Sequence, residues 1–143
     1  MSKFKYKYEI VKNIKEIQEA RIQKDIAELE MKIHNLKKDY DNVVSEQKKY
    51  AEENLAKNCR AVDIKYHKEY IAHLESIKKN IYCGIADLNK QKITKHAELL
   101  EKTKEKKIFN KLEEKHLEDH NFEQNKIDNM NLDEIAIQRY TRK

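Results

Sequence analysis

The chain has 143 residues, of which 40% are charged, 38% hydrophobic and 8% aromatic, with one glycine, no proline and a formal net charge of +5. Sheet-based folds turn frequently and draw on glycine and proline for those turns, so this composition excludes them and favours long helices. Because 31 basic residues nearly balance 26 acidic ones, the composition also differs from that of disordered chains, which combine low hydrophobicity with a large net charge.

The first residues alternate lysines with Phe4, Tyr6 and Tyr8. This alternation imitates a β-strand locally, but a single strand has nothing to pair with. We interpret the segment as an irregular or helical lead-in to a first helix predicted over about residues 3–54, with its aromatic side chains docked on a partner or against the helices.

From Ile22 onward, apolar residues recur at alternating spacings of four and three, which predicts a coiled-coil interface. Ile10, Ile14 and Ile17 keep this spacing but are out of phase with Ile22, so we expect a local stutter there and not a helix end. The positions of the main stripe are Ile22, Ile26, Leu29, Ile33, Leu36, Tyr40, Val43, Gln47 and Tyr50, with Gln47 its one polar member.

A turn is predicted where this pattern fades, over about residues 55–62, and a second helix over about 63–140. Asn58 can adopt the left-handed conformation that ends a helix, and Asp63 favours the first turn of the next one. Residues 80–84 offer an alternative turn with the only glycine, Gly84. Apolar positions continue through that stretch in helical phase, so we favour the first turn.

These elements predict an all-α fold, a long antiparallel two-helix coiled-coil hairpin. A turn near Asn58 places Leu36 opposite Ile81 and Tyr50 opposite Tyr66. The first helix is then exhausted near residue 112, and an overhang from about residue 113 has no intramolecular partner. Its apolar side chains would be exposed on an isolated helix, so we expect another molecule to cover them: Phe122, Ile127, Met130, Leu132, Ile135, Ile137 and Tyr140.

Enzymatic and metal-binding functions are not expected from this pattern. Two helices form no concave site for a nucleophile, a phosphate loop or paired carboxylates. His116 and His120 have metal-compatible spacing, but Leu117 stands where the zinc-protease motif requires glutamate, and no third ligand lies nearby. We therefore predict no enzyme activity, no cofactor and no metal.

Cellular location is inferred from what the sequence lacks. No apolar run approaches the roughly 20 residues of a membrane-spanning helix, and the N-terminus has no secretory signal, so we expect a cytoplasmic protein. Cys59 and Cys83 are interpreted as reduced thiols.

Basic residues concentrate near both chain ends, which the hairpin brings together. Lys3, Lys5 and Lys7 stand at one end and Arg139 and Arg142 at the other. Such a cationic tip suits nucleic acid, anionic lipid or an acidic protein surface. Charges balance over residues 95–119, which leaves no continuous phosphate-binding stripe, so we do not expect a nucleic-acid partner.

Two stretches resemble one known family. Residues 3–9 (KFKYKYE) and 132–140 (LDEIAIQRY) are similar to the termini of FliJ proteins, the coiled-coil component of the bacterial flagellar type III export apparatus. The resemblance implies a non-enzymatic stalk and chaperone at the cytoplasmic face of the membrane-embedded apparatus. It also implies that the paired termini enter the central hole of a hexameric export ATPase, similar to the γ shaft of rotary ATPases.

The same resemblance implies two contact surfaces and several partners. Besides the ATPase, the partners are the cytoplasmic domain of the export gate and export chaperones, and the chain reaches the membrane only through them. Two alternatives stay open, a virulence-type secretion stalk and a self-associating coiled-coil scaffold. We expect the ATPase contact at Phe4, Tyr6, Leu132, Ile135, Arg139, Tyr140 and Arg142, and the gate contact at Tyr70, Leu74, Ile77 and Ile81. The residues expected to contact the gate also fit the interface between the helices.

Overall fold

A computed structural model describes residues 3–55 and 61–142 of the chain. Helix α1 covers Glu9–Leu55 and helix α2 covers Ala61–Thr141, with 47 and 81 residues respectively. The described residues contain no strand, and the two helices pack against each other through interhelical contacts. The predicted all-α hairpin is confirmed.

The favoured turn was predicted over about residues 55–62, and residues 56–60 of it, including Asn58, lie outside the described part of the chain. The alternative turn is excluded, because residues 80–84 lie within α2. Gly84 does not adopt a positive φ, so its backbone is compatible with an uninterrupted helix.

Helix α1 begins at Glu9 and not near residue 3 as predicted. Residues 3–6 are irregular and residues 7–8 form a turn, in which the amide of Glu9 donates to the carbonyl of Tyr6 at 3.3 Å. An extended backbone directs alternate side chains to one side, whereas a helix would separate Phe4 and Tyr6 by more than half a turn. Docking of both rings on α2 therefore favours the irregular conformation.

The chain divides into two compact units, and the second comprises residues 21–99. Its core consists of positions from the predicted heptad stripe together with Leu74 of α2. The buried side chains are Ile22, Ile26, Leu29, Ile33 and Leu74. Ion pairs border this core, with Lys92 Nζ 3.1 Å from Glu30 and Lys95 Nζ 3.5 Å from Asp25.

The register of this unit differs from the predicted one by about one helical turn. Leu36 faces Gly84, where an added Cβ would lie 3.5 Å from the Leu36 side chain, whereas Ile81 was predicted. Tyr50 packs between His67 and Tyr70, with ring centroids 5.2 and 4.5 Å away, whereas Tyr66 was predicted. Sliding α2 by one turn brings the next apolar position of the same face into place, so the heptad pattern permits both registers.

The other unit comprises residues 1–20 and 100–143. Here α1 presents a polar face to α2: Lys12 lies 2.5 Å from Glu113, and Lys15 lies 2.7 Å from Glu105. A third pair joins Lys106 to Glu19 at 3.4 Å. Ion pairs thus take the place of an apolar core along this part of the hairpin.

The predicted stutter explains this polar face. Helix α1 continues without interruption through residues 17–22. The five-residue step from Ile17 to Ile22 corresponds to a rotation of about 140° around the helix, so Ile17 points away from the heptad stripe that begins at Ile22. Ile22 is accordingly 8% exposed and Ile17 is 68% exposed. Ile10, Ile14 and Ile17 form an exposed row on α1, which we call the isoleucine stripe.

Within the described residues, neither helix has the apolar run that crossing a bilayer would require.

Candidate partner-binding site

Residues 3–8, the N-terminal segment, are held against α2 by aromatic contacts. Tyr6 is only 7% exposed, and its hydroxyl donates a hydrogen bond to the Phe109 carbonyl at 2.8 Å. Its ring packs edge-on against His116 with centroids 5.8 Å apart. Phe4 lies against His120 at 5.5 Å. These contacts fasten the segment to α2.

Electrostatics reinforce this docking. Burial raises the pKa of the Tyr6 phenol above its ordinary 10.0, and the Glu113 carboxylate adds to the effect, so Tyr6 is a neutral donor at physiological pH. The hydrogen bond to Glu113 raises the pKa of Lys12. The hydrogen bond from Lys15 lowers the pKa of Glu105. Both shifts favour the charged forms, the ammonium of Lys12 and the carboxylate of Glu105.

The expected ATPase-contact residues fall into two groups. Phe4 is half-buried and Tyr6 is buried, so both lie in the docked N-terminal segment. The other residues of the set are exposed on the last turns of α2 or directly after its end, more than a full helical turn beyond His120: Leu132, Ile135, Arg139, Tyr140 and Arg142. The structure does not bring the two groups into contact.

The C-terminal tail, residues 125–142, is exposed at every position. The overhang was expected from about residue 113, but α2 is contacted by the N-terminal segment as far as His120. An extended residue advances about 3.3 Å and a helical residue about 1.5 Å, so a short irregular segment covers several turns of helix. The tail is correspondingly shorter than predicted.

Apolar side chains surround the tail instead of lining one face. Successive helical residues are rotated by about 100°, and at that rotation no gap between neighbouring apolar positions exceeds about 80°. The tail therefore has no single apolar face, and a partner that covers all of these groups must surround the helix. The positions are Ile127, Met130, Leu132, Ile135, Ile137 and Tyr140.

The expected gate-contact residues lie in the interface between the helices. Leu74 is 3% exposed, and Ile77 and Ile81 are half-buried. Tyr70 is also half-buried, and its hydroxyl donates to Glu46 Oε1 at 2.8 Å. A partner could reach Leu74 only by separating the helices.

Exposed apolar groups nevertheless accompany this part of α2. Tyr82 is 69% exposed, and Ile71 is also exposed. Tyr82 borders an open groove together with Tyr40, Ala72 and Ser76. This outer surface is accessible while the helices remain paired.

A comparison with protein-family models decides the family. The model of the flagellar FliJ protein matches residues 4–143, essentially the whole chain. The chain belongs to the FliJ family. No curated protein and no solved structure matches this FliJ-family chain. Membership assigns it to the flagellum, in a role related to protein export, and to a family of non-catalytic components.

The histidines of this FliJ-family chain have a role that the sequence interpretation missed. No cluster of metal-binding side chains occurs among residues 3–55 and 61–142. His116 contacts the rings of Tyr6 and Tyr8, and His120 contacts Phe4. The alternating aromatics of residues 4–8 and the four-residue histidine spacing were the signals that could have predicted this contact.

Proposed function

We propose that the chain is the central stalk of a hexameric flagellar export ATPase and enters the ring through its C-terminal tail. The observation that carries this proposal is the distribution of exposed apolar side chains around the whole circumference of the tail. A flat surface or a single partner helix would cover one side only, whereas the central hole of a ring surrounds the helix.

Charges support the same orientation. Arg139 and Arg142 are exposed at the end of the tail, where cations are favourably placed relative to the helix dipole. They suit acidic loops of the ring. Tyr6 acts in this proposal as an anchor, because its hydroxyl and ring are engaged within the chain. Phe4 is the half-buried member of the N-terminal segment and provides a contact near the entrance.

The test is a double substitution in the tail, Leu132→Asp with Ile135→Asp. Because both side chains are exposed, the variant should fold normally but lose stimulation of the cognate export ATPase, since charged groups cannot be buried unpaired in the ring. The measurement is the ATPase rate as a function of added chain.

The matched control is Met31→Asp with Ile93→Asp, two exposed apolar side chains outside the tail. The control should stimulate like the wild type. Full stimulation by the tail variant would refute the proposal, and loss with both variants would assign the effect to exposed apolar groups in general.

We also propose that the export gate binds the outer surface of α2 around Ile71 and Tyr82, adjacent to the originally expected residues. Ile71→Asp with Tyr82→Asp should abolish binding of the gate's cytoplasmic domain, measured by calorimetry, and leave ATPase stimulation unchanged. The control is Ile64→Asp with Tyr66→Asp, exposed groups nearer the start of α2. Unchanged gate binding by the Ile71 and Tyr82 variant would contradict this assignment.

Membership of a flagellar family favours the flagellar system over a virulence-type one. Escort of export chaperones and a position at the cytoplasmic face of the membrane complete the proposed role. Co-purification of chaperones with the full chain tests the first, and its absence at saturating concentration would contradict it. Fluorescence imaging of the tagged chain in cells tests the second, because loss of membrane-associated foci on deletion of the gate is expected.

A further inference from the structure

The isoleucine stripe is an apolar surface that the hairpin leaves uncovered. Lys12, Lys15 and Glu19 of α1 face α2 through ion pairs. Ile10 and Ile14 lie on the opposite side of α1, because a separation of two residues rotates a side chain by about 200°. Ile10 and Ile17 are more than half exposed and Ile14 nearly half.

We propose that a second copy of this chain covers the stripe with its C-terminal tail, in a symmetric dimer in which each tail lies on the other chain's stripe. Ile14 and Ile17 are separated by three residues, and Leu132 and Ile135 have the same separation. Pairing Ile14 with Leu132 therefore also pairs Ile17 with Ile135, as in adjacent core layers of a parallel coiled coil.

Symmetry makes both contacts form together. Helices α1 and α2 are antiparallel within the unit formed by residues 1–20 and 100–143, as the ion pairs of Lys12 and Lys15 show. If two such units lie side by side in opposite directions, the tail of each runs parallel to α1 of the other. A twofold axis then creates two identical contacts.

Charge matches this pairing. In a chain that is 40% charged, the positions bordering both apolar rows are uncharged. On α1 these are Val11, Asn13 and Ala20, and on the tail they are Asn131, Ala136 and Gln138. The pairing that joins Ile14 to Leu132 sets Asp128 of the second copy opposite Ile10 at the N-terminal end of the stripe, and Lys7 is the neighbouring cation, both charged residues being exposed.

Interface size explains why two contacts are needed. Stable complexes bury about 800 Å² on each partner, more than two layers of a short coiled coil supply. Reciprocal contacts double the buried area and use the tail of both chains. The same chain cannot make this contact, because α2 is continuous to Thr141 and its tail cannot fold back onto α1.

Sedimentation velocity of the full chain over a concentration series tests the proposal. The wild type should form dimers, while Ile14→Ser with Ile17→Ser, and separately Leu132→Ser with Ile135→Ser, should each weaken dimerisation at least tenfold. Far-UV circular dichroism checks that helicity is retained. A chain that stays monomeric to several hundred micromolar would overturn the proposal.

Mixing the two variants separates this dimer from other arrangements. Each variant alone retains neither contact, but a heterodimer retains one, joining the intact tail of the stripe variant to the intact stripe of the tail variant. The mixture should therefore associate more strongly than either variant alone. Wild-type dimerisation by the stripe variant would indicate a tail-to-tail contact, and wild-type dimerisation by the tail variant a stripe-to-stripe contact; either result overturns the proposal.

Cysteine cross-linking fixes the register. In a background with Cys59 and Cys83 replaced by serine, a chain carrying Ile14→Cys mixed with one carrying Leu132→Cys should yield a disulfide-linked heterodimer. Replacing the first by Tyr82→Cys, an exposed position elsewhere, should abolish the cross-link. Equal cross-linking of both pairs would contradict the register. None of these experiments contains the ATPase, so a result that overturns the dimer does not bear on the proposed insertion of the tail into the ring.

Discussion

At the scale of single residues, Tyr6 holds the N-terminal segment in its docked conformation. Its hydroxyl donates to a backbone carbonyl of α2, its ring contacts His116, and its carbonyl accepts from Glu9 at the start of α1. One residue thus links the irregular N-terminal segment to both helices, through its side chain to α2 and through its backbone carbonyl to α1. Without it, the remaining ring contacts of the segment with α2 would be those of Phe4 with His120 and of Tyr8 with His116 and Phe109.

Substituting Tyr6 should therefore loosen this segment selectively. Tyr6→Phe loses one hydrogen bond and should cost about 0.5–1.5 kcal/mol of docking, while Tyr6→Ala should undock the segment. The measurement is amide hydrogen exchange at Glu9 and Lys12, whose amides donate to carbonyls of the segment. Tyr140→Phe, altering a ring that is 84% exposed, serves as the control. Unchanged exchange in Tyr6→Ala would show that the docked conformation does not depend on Tyr6.

At the scale of helices, the sequence predicted the secondary structure and the apolar face of α1 better than it predicted which residues of α1 and α2 lie opposite each other. The 3.5-residue period identifies which face of α1 is apolar, and it correctly separates Ile17 from Ile22. Register is harder, because a one-turn slide exchanges one apolar neighbour for another. The small volume of Gly84 opposite Leu36 is a pairing detail that periodicity does not contain.

At the candidate site, too, the sequence pattern predicted which segments are apolar better than it predicted which residues touch. An exposed apolar tail follows from the greater length of the second helix, and the sequence predicted it. Leu74 fits the interhelical interface by its spacing and is buried there. The burial of Tyr6 against Phe109 and His116 could not be predicted, because it depends on which residues of α2 meet the N-terminal segment. Expected contact residues that also fit the interhelical interface, such as Tyr70 and Ile77, belong to that interface in the structure.

At the scale of the whole molecule, the buried side chains and the exposed apolar tail belong to different segments. The buried side chains are Tyr6, Ile22, Ile26, Leu29, Ile33 and Leu74, and none of them belongs to the tail. The tail retains helical hydrogen bonds but buries no side chain against the rest of the described chain. Since isolated helices are marginal in water, the tail adds little free energy of unfolding to the hairpin.

At a concentration where the chain is monomeric, deleting residues 125–143 should therefore leave the hairpin's thermal midpoint nearly unchanged, within about 2 °C, because a stability change well below 1 kcal/mol shifts the midpoint by only a few degrees. Thermal unfolding followed by circular dichroism measures this, and the total helical signal should fall by the share of the deleted residues. Deleting residues 1–8 is the informative contrast, since it removes the buried Tyr6 and should lower the midpoint. A large drop on deleting the tail would mean that the tail is packed within the chain. It would remove the basis for ring insertion, because a tail already covered by its own hairpin offers no apolar surface for another molecule to surround.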